Sequence, residues 1–108
     1  LLYKKISSGI KGKVKSRKLL YAPYPKYPFW AKKKGIETSI TVRFIVLPSG
    51  KIKKPLIVVR TSGYPELDKH VANTLEKWVF EALSSKYKWK EEVGEITFVF
   101  SLSSKKGK

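Results

Sequence analysis

Residues 37–60 read ETSITVRFIVLPSGKIKKPLIVVR, and this stretch decides the fold of the chain. Apolar side chains recur at every second position of its first half, which is the period of a strand that buries one face. Residues 48–51, Pro-Ser-Gly-Lys, form a turn signal because Pro suits an early turn position and Gly supplies positive φ. Ile52–Arg60 then returns as a second strand, which Pro55 places at a sheet edge or at a bulge. The apolar positions of the first strand are Ile40, Val42, Phe44 and Val46.

A third strand is predicted near the end of the chain, where residues 94–102 alternate with the same two-residue period. One face of this strand carries Ile96, Phe98, Phe100 and Leu102. The other face carries Glu95, Thr97, Val99 and Ser101. Residues 19–21 are predicted as an additional short strand.

Two helices are predicted, one before the hairpin and one after it. Pro28 suits the first turn of a short helix, Phe29–Lys34, which Gly35 ends. The longer helix begins at Pro65, and its apolar residues recur at helical spacing to form one stripe. That stripe consists of Leu67, Val71, Leu75 and Trp78. The order of elements predicts an α+β two-layer sandwich, a three-stranded antiparallel sheet covered on one face by a short and a long helix.

The segment before the short helix is rich in tyrosine and proline. Residues 21–28 read YAPYPKYP, and three prolines in six residues exclude a helix and favour extended polyproline geometry. Tyr21, Tyr24 and Tyr27 recur at every third position, so one face of this segment is predicted to be aromatic.

Basic residues dominate the two ends of the chain. The net charge is +16, and residues 1–36 hold eleven Lys or Arg and no acid, whereas residues 37–102 are nearly balanced. We therefore divide the chain into a basic linker or arm (1–20), a folded domain (21–102) and a basic tail (103–108). Such basic runs are usually solvated, although they can also bind anionic partners.

The sequence lacks the residue groups that catalysis or metal binding requires. It has no cysteine, and its only histidine, His70, falls on the polar side of the long helix, where we expect it to be solvated. Glu91 and Glu92 adjoin in a predicted loop instead of forming a general acid–base pair. The sequence contains no glycine-rich phosphate loop and no nucleophile elbow. It therefore predicts a protein that is not an enzyme and uses no cofactor or metal.

Binding of nucleic acid or another anionic polymer through the basic arm is the main alternative. Aromatic side chains between lysines can stack on bases while the lysines contact phosphate. That pattern is present in Tyr24, Lys26, Tyr27 and Trp30. Against it, Phe98 and Phe100 alternate with polar residues and fit a core better than a base-stacking surface. Nucleic acid is therefore the less favoured partner, and steep weakening of binding with salt would indicate it.

Several motifs together resemble one family, the C-terminal domains of TonB and TonB-like energy transducers. Tyr27-Pro28 before the short helix, followed by Lys34-Gly-Ile-Glu37, looks like the "YP … GIEG" start of these domains. Arg43-Phe-Ile-Val46 and Pro48-Ser-Gly-Lys51 are similar to the family's strand and "P-x-G-x" turn.

The resemblance continues through the second half of the chain. Residues 61–68, TSGYPELD, resemble the family's "SSG…LD" segment, and residues 78–81, WVFE, resemble its "W-x-F-E-P" segment. The family's glycine after "GIE" is Thr38 here, and its proline after "W-x-F-E" is Ala82. The resemblance covers residues 21–102.

This resemblance implies a function in the bacterial envelope. Proteins of this kind are anchored in the inner membrane, work with an ExbB–ExbD-type motor, and capture the Ton-box peptide of a TonB-dependent outer-membrane receptor with a periplasmic domain. Since the chain begins with Leu instead of Met, we expect the anchor upstream of Leu1. A receptor peptide would then add as a strand to the last strand, which the family's strand order places at a sheet edge.

The resemblance also implies a set of partner-binding residues. They are Pro25, Lys26, Tyr27 and Pro28 of the "YP" segment and Glu95, Ile96, Thr97, Phe98, Val99, Phe100 and Ser101 of the last strand. For Tyr27 and Pro28, packing in the core and capping of the helix are an equal alternative. An edge strand can also be covered by a second copy, so a homodimer is another partner state. A scaffold that has lost its receptor is a third reading of the whole domain.

Overall fold

The fold is described from a computed structural model of the chain, which covers residues 2–7, 9–84, 86 and 89–103. Within these residues, eight helices and strands follow one another, and a single-turn 3-10 helix lies at Lys13–Ser16. They are β1 (Leu2–Ser7), β2 (Leu19–Tyr21), α1 (Phe29–Lys33), β3 (Thr38–Val46), β4 (Ile52–Arg60), α2 (Pro65–Leu75), β5 (Val79–Phe80) and β6 (Glu92–Ser103).

The main sheet is antiparallel, and its strand order is β1-β6-β3-β4. The three predicted strands are present as β3, β4 and β6, and the α+β class is confirmed. Strand β3 lies between β4 and β6, and nine consecutive residue pairs join it to β6, from Thr38↔Phe100 to Val46↔Glu92. Strand β4 ends the sheet, and its pairing with β3 shifts register around Pro55, as that proline predicts.

The predicted edge position of the last strand is wrong. Residues Leu2–Ser7, which belong to the predicted linker or arm, form β1 and pair with the outer side of β6. The error arose because residues 2–7, LYKKIS, show no sustained alternation of apolar and polar side chains, so the sequence of the arm carries no clear strand signal. The proposed domain limits at residues 20/21 and 102/103 stay predictions, and residues 104–108 of the basic tail lie outside the described residues.

The turn of the β3–β4 hairpin packs against a second, two-stranded sheet made of β2 and β5. The short β2 strand was predicted. Phe80 N donates to Gly50 O at 2.7 Å, and Leu83 N donates to Pro48 O at 2.8 Å. Gly50 has φ 97°, and a Cβ built there would lie 1.9 Å from Phe80 O, so the turn requires glycine.

Both helices lie where the sequence placed them, and α2 is shorter than its apolar stripe. It ends at Leu75, yet Trp78 remains buried because the chain turns back after the helix and Trp78 N donates to Leu75 O at 3.0 Å. The core lies between the sheet and the helices. Its largest buried side chains come from β3, β6, α2 and β5 and include Phe44, Phe98, Phe100, Leu67, Leu75 and Phe80.

A polar cluster fixes the chain between β4 and α2. The Asp68 carboxylate accepts hydrogen bonds from Ser62 N at 2.9 Å, from Ser62 Oγ at 2.6 Å and from Thr61 Oγ1. Burial alone would raise the pKa of Asp68, but these hydrogen bonds from Ser62 and Thr61 outweigh it and lower the pKa below the ordinary 3.8. The TSGYPELD motif is therefore a structural connection that holds the start of α2.

Candidate partner-binding edge

Strand β6 offers different groups on its two faces. Ile96, Phe98 and Phe100 are 3%, 1% and 2% exposed and belong to the core, so their side chains are not available to a partner. Thr97, Val99 and Ser101 lie on the opposite face and are half-buried. A partner that binds to β6 must therefore contact its backbone and the face that carries Thr97, Val99 and Ser101.

The backbone groups on the outer side of β6 can be assigned from two hydrogen bonds. Lys11 N donates to Glu95 O at 2.8 Å, and Glu95 N donates to Lys11 O at 2.9 Å, so Glu95 directs its backbone away from β3. In an antiparallel strand this direction alternates with each residue. Thr97, Val99 and Ser101 therefore also direct their N–H and C=O groups to the outer side of β6.

This outer side is covered by the arm along most of its length. Strand β1 pairs from Ser7↔Phe98 to Leu2↔Ser103, and Lys11 forms an isolated bridge with Glu95. Between these two contacts the arm has three residues, 8–10, where β6 has only two, 96 and 97. The arm therefore contacts β6 in two separate places, and between them it has one residue more than β6 has.

The second half of the arm is firmly anchored. Val14 is fully buried, and the side chains of Arg17 and Glu92 are only 6% and 13% exposed. Arg17 Nη2 and Nε donate to Glu92 Oε1 at 2.8 and 3.0 Å, and Arg17 Nη1 donates to Leu47 O at 2.9 Å. The expectation of a solvated linker does not hold for these residues, whose packing ties the arm to β6 and to the hairpin.

The backbone between β1 and this anchor turns at two glycines. Gly9 has φ 83° and Gly12 has φ 102°, both in the region that L side chains rarely adopt. A Cβ added to Gly12 would lie 2.5 Å from Val93 O, so the arm approaches β6 closely at this position. The anchored part of the arm and β1 are thus joined by a segment that glycine allows to turn.

An open cavity lies beside the gap between the two arm contacts. Its volume is about 440 Å³, and it lies on the side of β6 that faces the core. Its walls are formed by Gly9, Ile10, Leu19, Ala22, Tyr24, Trp78 and Ile96. We call this cavity the arm pocket.

The "YP" segment packs on the core instead of standing free. Pro25 and Tyr27 are buried, Pro28 is half-buried and precedes α1, and only Lys26 exposes its side chain. The Tyr27 hydroxyl donates to Ile36 O, and burial, with a smaller contribution from the charge of Glu37, raises the pKa of Tyr27. Packing and helix entry thus account for Tyr27 and Pro28, and their role in partner binding stays a prediction.

Two further contacts hold the "YP" segment. Trp78 Nε1 donates to Pro23 O at 2.8 Å. His70 Nε2 lies 2.7 Å from Lys26 O, so this histidine contacts the segment and is only partly solvated, contrary to the sequence-based expectation. The backbone of residues 23–26 is therefore attached to the middle of α2, through His70, and to the turn that follows the helix, through Trp78.

The described residues form neither a metal site nor a membrane-spanning helix. In that part of the chain, no group of three His, Cys, Asp or Glu residues is placed to hold a metal ion. The same residues contain no helix of the length and hydropathy that crossing a membrane requires.

Sequence reasoning did not identify the arm's contact with β6, nor Arg17 as its anchor. One weak signal was present. Arg17 is the only arginine among residues 1–36, where every other base is lysine. Arginine is favoured for buried ion pairs because its planar group binds a carboxylate through two donors.

Comparison with known proteins was made against families, curated proteins and solved structures. The sequence pattern of the family described as "Gram-negative bacterial TonB protein C-terminal" matches residues 23–102. The solution NMR structure of the Pseudomonas aeruginosa TonB C-terminal domain is similar to the chain, with a TM-score of 0.68 and 26% sequence identity over 92% of each chain. None of the curated proteins matches the chain.

Proposed function

Because the chain belongs to the family of Gram-negative bacterial TonB C-terminal domains, which act in the periplasm and interact with outer-membrane receptors, we propose that it captures a receptor peptide by strand addition. The peptide is the Ton-box segment of a TonB-dependent receptor. The capture couples the proton-motive force of the inner membrane to active transport, through an upstream membrane anchor and an ExbB–ExbD-type motor. The role needs no catalytic residue.

The site of capture in this proposal is the outer side of β6. Glu95, Thr97, Val99 and Ser101 direct backbone groups there, on the side of β6 that lies away from β3. An added strand would be held by several main-chain hydrogen bonds at once. A pull along the strands would load these bonds together, which suits a domain that transmits force.

The arm must leave this side of β6 before a receptor peptide can bind. Two features support such an exchange. Strand β1 pairs with the same side of β6 that an added peptide would use, and Gly9 and Gly12 join it to the anchored residues. The peptide therefore replaces β1, while Val14 and Arg17 keep the rest of the arm in place.

Residues 25–28 have a smaller part in this proposal. Lys26 is the one residue of this group with an exposed side chain, so it can contact the receptor directly. Pro25, Tyr27 and Pro28 act by holding Lys26 and the start of α1 in position, since their side chains are buried or half-buried.

The test is a titration of the isotope-labelled chain with a Ton-box-like peptide, followed by NMR. The expected result is that amide shifts concentrate at Thr97, Val99 and Ser101 and at β1, because β1 is released when the peptide binds. Shifts restricted to residues 9–20, with β6 unchanged, would contradict strand addition and would favour the anionic-polymer reading.

A proline substitution makes this test specific for the backbone. Val99→Pro removes an outward N–H and should reduce peptide affinity by at least about tenfold, since proline cannot donate a hydrogen bond. Val99→Ala is the matched control because it keeps the N–H, and it should change affinity less than about threefold. Near-UV circular dichroism checks that both variants keep the native packing.

A further inference from the structure

The arm pocket is continuous with the proposed binding side of β6. Ile96 forms part of its wall and belongs to β6, and Gly9 and Ile10 form the rim at the gap between the two arm contacts. A strand that replaced β1 would pair with β6 up to Phe98 and would reach the pocket with its next residues. The pocket therefore lies in the path of the bound segment.

The chemistry of the pocket is apolar. Leu19, Tyr24, Trp78 and Ile96 line it, and Tyr24 and Trp78 both contact the ring of Phe98 edge-on, at centroid distances of 5.4 and 6.0 Å. The indole N–H of Trp78 is already bound to Pro23 O. Among the described residues that are not exposed, no buried side-chain nitrogen or oxygen lacks a hydrogen-bond partner. The pocket thus offers aromatic and aliphatic surface, which suits an apolar side chain.

The size of the pocket also indicates its occupant. A volume of about 440 Å³ lies near the lower end of the range of small-molecule sites, and the pocket is open on one side. In strand addition, main-chain bonds supply affinity, and pockets for individual side chains supply specificity. One large side chain, held by a strand beside the pocket, fits both its size and its position.

We propose that the arm pocket receives one large apolar side chain, aromatic or branched aliphatic, of the receptor segment. In the proposed exchange the segment takes the direction of β1, which runs towards the pocket from Leu2 to Ser7, so this residue lies just C-terminal to the stretch that pairs with β6. The proposal rests on strand addition at β6 and adds a preference for receptor segments that carry such a side chain at this position. A segment without such a residue would bind through its backbone alone.

The experiment is a double-mutant cycle between the pocket and the peptide. Two peptides are compared by isothermal calorimetry with the full chain, a Ton-box-like peptide with Phe after the pairing stretch and the same peptide with Ala. The Phe peptide should bind about tenfold more tightly, because burial of a large apolar side chain is worth about that factor or more.

Substitutions at Ala22 then remove the pocket without touching the core. Ala22 is an exposed residue of the pocket wall, so Ala22→Phe should fill the pocket and Ala22→Arg should introduce a charge into it. Both variants should bind the two peptides with equal affinity, within about twofold of the Ala peptide on the parent chain. Ala82→Phe is the matched control, since Ala82 is exposed and is not part of the pocket wall, and it should keep the tenfold preference.

The outcomes separate this inference from the function on which it rests. If the parent chain binds both peptides with the same measurable affinity, the pocket is not a selection site and strand addition still stands. If the preference for Phe persists in both Ala22 variants, the preference arises elsewhere and the inference is overturned. If neither peptide binds to the parent chain, the inference and the proposed function both fail.

Discussion

Single residues explain how this chain keeps its connections in place. The family's "SSG…LD" segment is TSGYPELD here, and the structure gives a physical reason for its first and last residues. Asp68 accepts hydrogen bonds from Thr61 and Ser62, which precede the helix that carries it. The sequence pattern thus encodes a side-chain contact that closes the loop before α2.

The first prediction at this scale concerns pH. Since hydrogen bonds lower the pKa of Asp68 in the folded protein below 3.8, its ionised form stabilises the fold above that pH and loses this effect as the pH falls below it. Asp68→Asn should lower the free energy of unfolding at pH 7 by about 1–2 kcal/mol. The difference between the parent and the variant, measured by urea unfolding, should shrink between pH 5 and about pH 2. A difference that is constant with pH would contradict this role.

The second prediction concerns the buried ion pair of the arm. Arg17→Ala leaves the nearly buried carboxylate of Glu92 without its partner and should lower the free energy of unfolding by about 3 kcal/mol. Arg43→Ala is the control, since the pair between Arg43 and Glu95 is largely exposed and should be worth less than about 1 kcal/mol. Equal losses in urea unfolding would show that Arg17 does not anchor the arm.

At the scale of elements, the predictable parts are those that bury one face against a core. Strands β3 and β6 and helix α2 follow from apolar periodicity, because their register against the core depends on the spacing of their apolar side chains. Strand β4 and helix α1 follow instead from the residues that bound them, namely the turn at residues 48–51, Pro28 and Gly35. The end of α2 was misplaced by one turn because Trp78 returns to the core without being helical. Apolar periodicity predicts which side chains are buried, but it does not by itself predict the backbone conformation of those residues.

Strand β1 could not be predicted for a different reason. The six residues of β1, LYKKIS, include two lysines and a serine, and they pair with β6 through a long-range register that the sequence does not encode locally. Ile6, Ile10 and Val14 even recur at helical spacing, although the structure places them in β1, a connection and a 3-10 turn. The sequence therefore predicted β6 as the partner-binding strand, which stays a prediction, and it did not predict the arm that covers β6.

Strand β4 forms the free end of the described sheet, and its sequence limits unwanted pairing. Ile57 and Val59 expose 55% and 46% of their surface, which would favour edge-to-edge association. Lys53, Lys54 and Pro55 interrupt this edge, and such residues are common protection for edge strands. The proposed exchange of β1 for a receptor segment therefore takes place at β6, on the opposite side of the sheet from β4.

At the scale of the whole molecule, most of the positive charge lies outside the balanced part of the chain. Part of the arm is nevertheless built into the sheet, since Leu2–Ser7 pair with β6. In the proposed cycle, the same segment protects β6 in the free domain and yields to the receptor segment. The free energy of peptide binding is then the difference between the pairing of the peptide with β6 and the pairing of β1 with β6. The observed affinity is therefore lower than the contacts of the peptide alone would give.

A reversible covalent link between β1 and β6 would show whether β1 must leave β6 before the peptide binds. Lys4 of β1 is paired directly with Ser101 of β6, and the Cα separation of such a pair suits a disulfide. The chain has no cysteine of its own that could form a competing bond. The variant Lys4→Cys/Ser101→Cys would be titrated with the Ton-box-like peptide in its oxidised form and again after reduction. The single variant Lys4→Cys is the control for the loss of the lysine.

We expect the oxidised variant to bind the peptide at least about tenfold more weakly than the reduced variant. Reduction should restore the affinity to that of the Lys4→Cys control. Equal affinity in both redox states, with the disulfide verified by mass spectrometry, would show that the peptide binds without displacing β1 and would contradict strand exchange at β6.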